Sequence, residues 1–168
     1  MNEILNEIQK ALQHKLYFLA LSSTLTLPDI CAALESDNNK TTGKKYKQWY
    51  NTYAYGKCSS FLDGHSCYKF RCSLLHQGSS KYSSEYNKSD FERIIFLEPN
   101  HTFFMHDNII NDALNLDIVT FCNGMIKAVR SWEQIVCSSE TFKKNYSNTI
   151  KLYPNGLPPY IVGPSVIS

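Results

Sequence analysis

Residues 68–78 read Tyr68-Lys69-Phe70-Arg71-Cys72-Ser73-Leu74-Leu75-His76-Gln77-Gly78. Cys67, Phe70 and Leu74 recur at helical spacing, so this segment is expected to form a helix with one apolar side. Gly78 follows the last predicted turn, and glycine adopts without steric cost the left-handed conformation that often ends a helix. The apolar side would face the core and leave Arg71 and His76 to face elsewhere.

Arg71 and His76 are not stacked neighbours on such a helix. Five residues of helix separate them by about 140° around the axis and by about 7.5 Å along it. They could share a site if the arginine side chain bends round, or if the last turn unwinds near His76. They could also meet through a second copy of the helix, which would predict a symmetric dimer with one composite cleft on its twofold axis.

The two residue types suit phosphodiester chemistry. Histidine titrates near neutrality, so it can take a proton from a 2′-hydroxyl or give one to a leaving 5′-oxygen. Arginine stays charged and binds phosphate oxygens with a planar fork, which stabilises charge that develops on the phosphorus. The plain alternative is a solvated arginine and a histidine that is favoured at a helix end by the helix dipole.

Arg71 followed after four residues by His76 resembles the R-x4-6-H signature of the HEPN superfamily. The resemblance implies a small all-α domain and a homodimer whose paired motifs cut RNA without a metal. Cleavage would proceed by attack of the 2′-hydroxyl on the adjacent phosphate and leave a cyclic phosphate end. Many members act in toxin and anti-phage systems. In the nuclease members the residue after the arginine is often polar, commonly Asn, whereas this chain has Cys72.

We therefore expect a HEPN-type endoribonuclease, a toxin or defence effector, with Arg71 and His76 as catalytic residues. Ser73 and Gln77 are close enough in sequence to bind the phosphate or to orient His76. Tyr68 and Lys69 are further candidates for substrate binding. The expected partners are RNA, a second copy of the chain, and an antitoxin or regulatory protein.

Two other classes of function stay open from the sequence. Cys72 favours a catalytically inactive HEPN-like module that binds RNA, a nucleotide or a protein. A purely structural interaction protein is the third possibility.

Composition describes an ordinary soluble domain. The chain has 168 residues, of which 43% are hydrophobic and 19% charged, with a formal net charge of +2. This weak positive charge neither requires nor excludes a nucleic-acid partner. One cluster of four lysines (Lys40, Lys44, Lys45, Lys47) alternates with aromatic residues, and is either a backbone-binding surface or a solvated helix face with its aromatic residues turned inward.

The cysteines and the N-terminal segment indicate a cytosolic protein. We interpret the six cysteines as buried thiols because their spacing matches no standard zinc pattern, and we expect no metal and no cofactor. The first residues mix acids with apolar side chains, unlike a secretory signal. The apolar run from Leu16 to Leu27 is too short to span a bilayer, so no membrane partner is expected.

Hydrophobic periodicity predicts an all-α bundle of five to six helices with a small β-hairpin inserted at about 92–106, and the resemblance implies that this bundle is HEPN-like. Residues 1–153 would form the domain, with an insertion at 79–112 that starts with an exposed loop over 79–90. Residues 154–168, rich in proline, would form an extended C-terminal tail. The predicted helices cover about 2–23, 29–37, 44–55, 66–76, 114–137 and 139–150.

Overall fold

The structure, a computed structural model, describes residues 1–81, 91–99 and 102–168. Over these residues the fold is mixed α/β, with six helices that hold 52% of the described residues and three small sheets that hold about 14%. The predicted all-α class is therefore wrong. The division into a domain, an insertion and a tail stays a prediction.

The helices are α1 (Asn2–Gln13), α2 (Tyr17–Leu34), α3 (Gly43–Tyr53), α4 (Gly64–Gln77), α5 (Ile118–Val136) and α6 (Glu140–Ser147). The strands are β1 (Arg93–Leu97), β2 (Asn108–Ile110), β3 (Ala113–Asp117), β4 (Leu152–Tyr153), β5 (Gly156–Leu157), β6 (Ile161–Val162) and β7 (Val166–Ile167).

The hairpin predicted at 92–106 is wrong, because the structure has a three-stranded sheet in this part of the chain. Its order is β1-β3-β2; β1 runs parallel to β3, and β2 runs antiparallel to β3. The second predicted strand, over 102–105, does not form. The true hairpin joins β2 to β3 through Asn111 and Asp112, both with positive φ (49° and 57°). Asn and Asp tolerate this conformation, and the turn it builds matches the twist of paired strands.

The helix predicted to begin at residue 114 begins later, because its first residues belong to the same sheet. Ala113–Asp117 is the central strand β3, and all five of its residues are buried. Its residues Leu114-Asn115-Leu116-Asp117 alternate apolar and polar as in a strand, but Leu114 lies four positions before Ile118 and so also fits the helical spacing of α5. α5 begins only at Ile118, where the Asp117 side chain accepts a hydrogen bond from the Thr120 N–H at 2.7 Å.

The N-terminal helices also differ from the prediction, in which one helix ended near residue 23 and the next began near residue 29. The chain breaks instead at Lys15, which has a φ of 58°, and α2 then continues through Pro28 to Leu34. Pro28 lacks the N–H that would bond the preceding turn, yet it is buried and its helix continues. Among the described residues, α2 is the one helix long and apolar enough to cross a membrane, and half of it is buried in the core.

The core lies where α2, α3, α4 and α5 pack together. Tyr46, Trp49 and Tyr50 of α3 are almost fully buried, which confirms that the aromatic residues of the lysine cluster turn inward. Lys40 and Lys44 are exposed, whereas Lys45 and Lys47 are half-buried. Cys67, Phe70 and Leu74 of α4 are buried as predicted. Of the six cysteines, Cys72 is half-buried and Cys137 exposed, so the expectation of buried thiols fails for these two.

The C-terminal segment pairs with itself. β4 pairs with β7 and β5 pairs with β6, both antiparallel, so the tail predicted as extended folds back into a narrow hairpin. No residue from 152 to 168 is charged. Several of its apolar side chains are exposed, among them Leu152, Tyr160, Val162 and Ile167.

Asp107 fastens the segment before β2 to the loop between α3 and α4. Its carboxylate accepts hydrogen bonds from the Ser59 hydroxyl and from the backbone N–H of Ser60, the latter at 2.8 Å. Partial burial alone would raise the pKa of Asp107, but the hydrogen bonds from Ser59 and Ser60 outweigh it and lower the pKa below its ordinary 3.8. The folded state therefore favours the charged carboxylate.

We predict that Asp107→Asn destabilises the protein by on the order of 1 kcal/mol at neutral pH, since the site is partly exposed. Asn also tolerates the positive φ of 59° at this position. Because the folded pKa is depressed, the contribution of the carboxylate is present above the unfolded pKa and disappears as pH falls through the folded pKa. Urea unfolding of both proteins at pH 7 and below pH 3.8 checks this. An equal difference at both pH values would contradict it.

Candidate functional site

Helix α4 carries both residues of the sequence motif, and its ends are well defined. It begins after Asp63, whose side chain accepts a hydrogen bond from the Ser66 N–H at 2.8 Å. It ends at Gly78, which has a left-handed φ of 62° as predicted. The segment after it is held to the helix because the Ser73 hydroxyl donates to the Lys81 carbonyl at 3.1 Å. Of the loop predicted at 79–90, residues 82–90 lie outside the described residues.

Arg71 and His76 meet within one chain. The arginine side chain bends round the helix, and its Nη1 lies 3.3 Å from His76 Nε2. A guanidinium can only donate, so this contact needs Nε2 without a proton and places the proton of the neutral imidazole on Nδ1. His76 is exposed at the helix end, and the Arg71 side chain is about one-fifth exposed (20%).

Asp29 of α2 is the third member of the site. Its Oδ2 lies 2.8 Å from Arg71 Nη2, and 15% of its side chain is exposed. The sequence analysis missed this role. One signal was present, because Asp29 is the only charged residue in the 18 residues of α2. A single charge in an apolar helix needs a partner if it is buried.

Burial and the ion pair shift the pKa of Asp29 in opposite directions. Burial raises the pKa of the carboxyl more than the Arg71 charge lowers it. For Arg71, burial alone would lower the pKa, but Asp29 and Cys72 raise it above its ordinary value. The Nη2–Oδ2 contact lacks the alignment of a hydrogen bond, and Arg71 Nε has no acceptor among the described residues. The guanidinium thus keeps unused hydrogen-bonding capacity.

Tyr68 lies beside the same cluster. The tyrosine is half-buried, and burial together with the neighbouring Cys72 raises its pKa. Lys47 Nζ lies 5.6 Å from the centre of its ring. Ser73 is engaged with Lys81. Gln77 is exposed, and Lys69 is half-buried on the same helix.

Compared with protein-family models, with curated proteins and with solved structures, the chain has no match. The resemblance to the HEPN superfamily therefore depends on the Arg71–His76 pattern. Within residues 1–81, 91–99 and 102–168, no three side chains of His, Cys, Asp or Glu come together as metal ligands would. The arrangement offers a fixed guanidinium for an anion and, beside it, an exposed imidazole nitrogen that can accept a proton.

We predict that Asp29 and Arg71 are energetically coupled. Asp29→Ala and Arg71→Ala should each cost about 1–3 kcal/mol, because each leaves a largely buried polar partner unpaired. The double variant should cost less than the sum of the two by more than about 0.5 kcal/mol. Urea unfolding at neutral pH measures all three.

The matched control is the pair Glu7 and Lys10, which are 2.9 Å apart with 70% and 64% of their side chains exposed. Coupling there should be a few tenths of a kcal/mol at most, roughly the value for exposed helix pairs. Additive effects at Asp29 and Arg71 would show that the ion pair does not organise the site.

Proposed function

We propose that the protein is a metal-independent endoribonuclease of HEPN type that uses Arg71 and His76. The observation that supports this most directly is the 3.3 Å contact between Arg71 Nη1 and His76 Nε2. A charged phosphate-binding group and a proton acceptor stand side by side at an exposed place. A phosphodiester needs both groups within the span of one phosphate.

In the proposed reaction, the incoming phosphate takes over Arg71 Nη1 from His76 Nε2, and the freed Nε2 takes the proton of a 2′-hydroxyl. The 2′-oxygen attacks the adjacent phosphorus, the bond from phosphorus to the 5′-oxygen breaks, and the 5′-oxygen takes a proton. The products are a 2′,3′-cyclic phosphate and a 5′-hydroxyl. In the proposed dimer, His76 of the partner subunit would supply the proton for the leaving oxygen. Arg71 would bind a non-bridging oxygen and stabilise the charge of the transition state, a task that needs no metal.

Asp29 has a positioning role in this proposal. It holds Nη2 of the guanidinium, so Nη1 stays directed at His76 and at the incoming phosphate. The arrangement has a cost, since the carboxylate neutralises part of the charge that phosphate would use. We propose that orientation matters more than this loss of charge, because the arginine reaches the histidine only with its side chain bent.

A second candidate function is an inactive module that binds RNA, a nucleotide or a protein. Two observations favour it: Arg71 is already paired with Asp29, and Cys72 follows it in place of a polar residue. For either function we propose a cytosolic location and, for the nuclease, a role as a toxin or defence effector.

We predict that the purified protein cuts a mixed RNA pool in the presence of a chelator. Arg71→Ala and His76→Ala should each lower the rate by about 100-fold or more. A 2′-deoxy nucleotide at the cleavage position should block the cut, because the nucleophile is missing. Gel analysis of end-labelled RNA, with identification of the cyclic phosphate, measures this.

Arg130→Ala and His14→Ala are the matched controls, because both residues are exposed and lie on other helices or their ends. They should cut as the wild type does. RNA that is retained but uncut, with retention lost in Arg71→Ala, would favour the binding module. Cutting that survives both motif variants would contradict the proposed site.

A further inference from the structure

The C-terminal hairpin, residues 152–168, forms an arm that carries no charged side chain. None of its residues is buried, and none belongs to the core or packs against it. A two-stranded hairpin by itself is only marginally stable in water. Tyr160 is 84% exposed, and Ile161, Val162 and Ile167 are exposed as well. This C-terminal arm would therefore gain stability from a surface that covers it.

The C-terminal arm has an open groove of its own. A cavity of about 460 Å³ is lined by Leu157, Tyr160, Ile161, Val166 and Ser168, all of them arm residues. Leu157 and Ile161 are direct partners across the hairpin, so their side chains share one face. The volume lies within roughly 300–1,000 Å³, the range of pockets that bury a ligand. This arm groove can therefore accept a large apolar side chain.

A second uncovered apolar surface lies at the start of α2. Leu16, Phe18 and Leu19 are 50%, 62% and 57% exposed. The intervening Tyr17 is engaged within the chain, because it packs against the core and its hydroxyl donates to Glu98 Oε1 at 3.4 Å. Exposed apolar side chains that are contiguous, rather than scattered singly, mark an interaction surface. These three residues form the α2 patch.

The two surfaces match in charge. Lys15, beside the α2 patch, is neutralised by Glu98, since its Nζ lies 3.6 Å from Glu98 Oε1. Lys151, at the base of the arm, has its Nζ 5.3 Å from the centre of the Tyr146 ring, so it is engaged within its own chain rather than free for lipid headgroups. A neutral arm and a neutral patch can associate without burying an unpaired charge.

The arm groove and the α2 patch do not meet within one chain, because the groove is lined by arm residues alone and the patch stays exposed. The arm starts beside Met1 and Asn2 at one end of α1. The patch follows the other end of this 12-residue helix, about 18 Å further along its axis. We propose that the C-terminal arm of one copy docks on the α2 patch of a second copy, with Phe18 in the arm groove. Each copy brings one arm and one patch, so a twofold pair covers all four surfaces.

The size of this interface suits a stable dimer. The arm and the segment from Leu16 to Leu19 together supply about 20 residues from each copy, and a standard interface uses about 20–30 residues a side. Interfaces of standard size have dissociation constants that are micromolar or tighter. The interface uses neither Arg71 nor His76, so its test is independent of the proposed nuclease.

Sedimentation equilibrium of the full chain measures the association. We expect the wild type to be a dimer at about 100 μM, well above a micromolar dissociation constant. Phe18→Asp and Tyr160→Lys should each weaken the dimer by about 100-fold or more, because each places a charge in an apolar contact that occurs twice per dimer. The variant with both changes should bind at least about tenfold more tightly than either single variant, since its two new charges are opposite and meet across the interface.

Both positions are exposed, so the variants should fold, which circular dichroism checks. Ile135→Asp is the matched control, because Ile135 is exposed on α5 and belongs to neither surface, and it should dimerise as the wild type does. A monomeric wild type at this concentration, a dimer that both single variants leave intact, or a double variant that binds no more tightly than the single ones would each overturn the proposal. A monomer that sediments with vesicles of phosphatidylcholine and phosphatidylserine would also overturn it, and would assign the arm to a lipid surface.

Discussion

The ion pair between Asp29 and Arg71 is the constraint on which the candidate site depends. It joins α2 to α4 across their shared interface, at the only charge in α2. It also fixes one side of the guanidinium, and the other side then faces His76. Two residues that an ideal helix would place about 140° apart thereby come into contact within one chain. The candidate site and the packing of α2 against α4 therefore use the same arginine.

The fold was predictable where structure is local. The apolar spacing of α4, its end at Gly78 and the inward aromatic residues of α3 all follow from patterns within a few turns of helix. The sheet was not predictable in the same way, because β1 pairs in parallel with β3, and β2 lies between them in the sequence. Leu114-Asn115-Leu116-Asp117 does alternate apolar and polar residues, but this short strand runs directly into α5. Leu114 lies four positions before Ile118 and so fits the helical spacing, and the segment was therefore assigned to the helix. The dipeptide Asn111-Asp112 was the available signal for a turn.

The site was predictable to the same extent. Arg71 and His76 stand five positions apart, so their sequence pattern reveals them. Asp29 lies on another helix, so its place in the site depends on tertiary packing that spacing cannot show. A second copy of the chain was one of three ways to bring the motif together. The bent arginine is another of the three, so this contact does not itself require a dimer. In the proposed reaction, a second copy is needed only to give the leaving oxygen its proton.

The most direct test of the central claim is an NMR measurement of the His76 ring nitrogens in the wild type and in Asp29→Ala. A free neutral imidazole prefers its proton on Nε2, whereas the contact with Arg71 requires it on Nδ1. We predict the Nδ1–H form in the wild type, a shift toward Nε2–H in Asp29→Ala, and no change at exposed His14. An Nε2–H form in the wild type, or His76 ring signals that are unchanged in Asp29→Ala, would contradict the account.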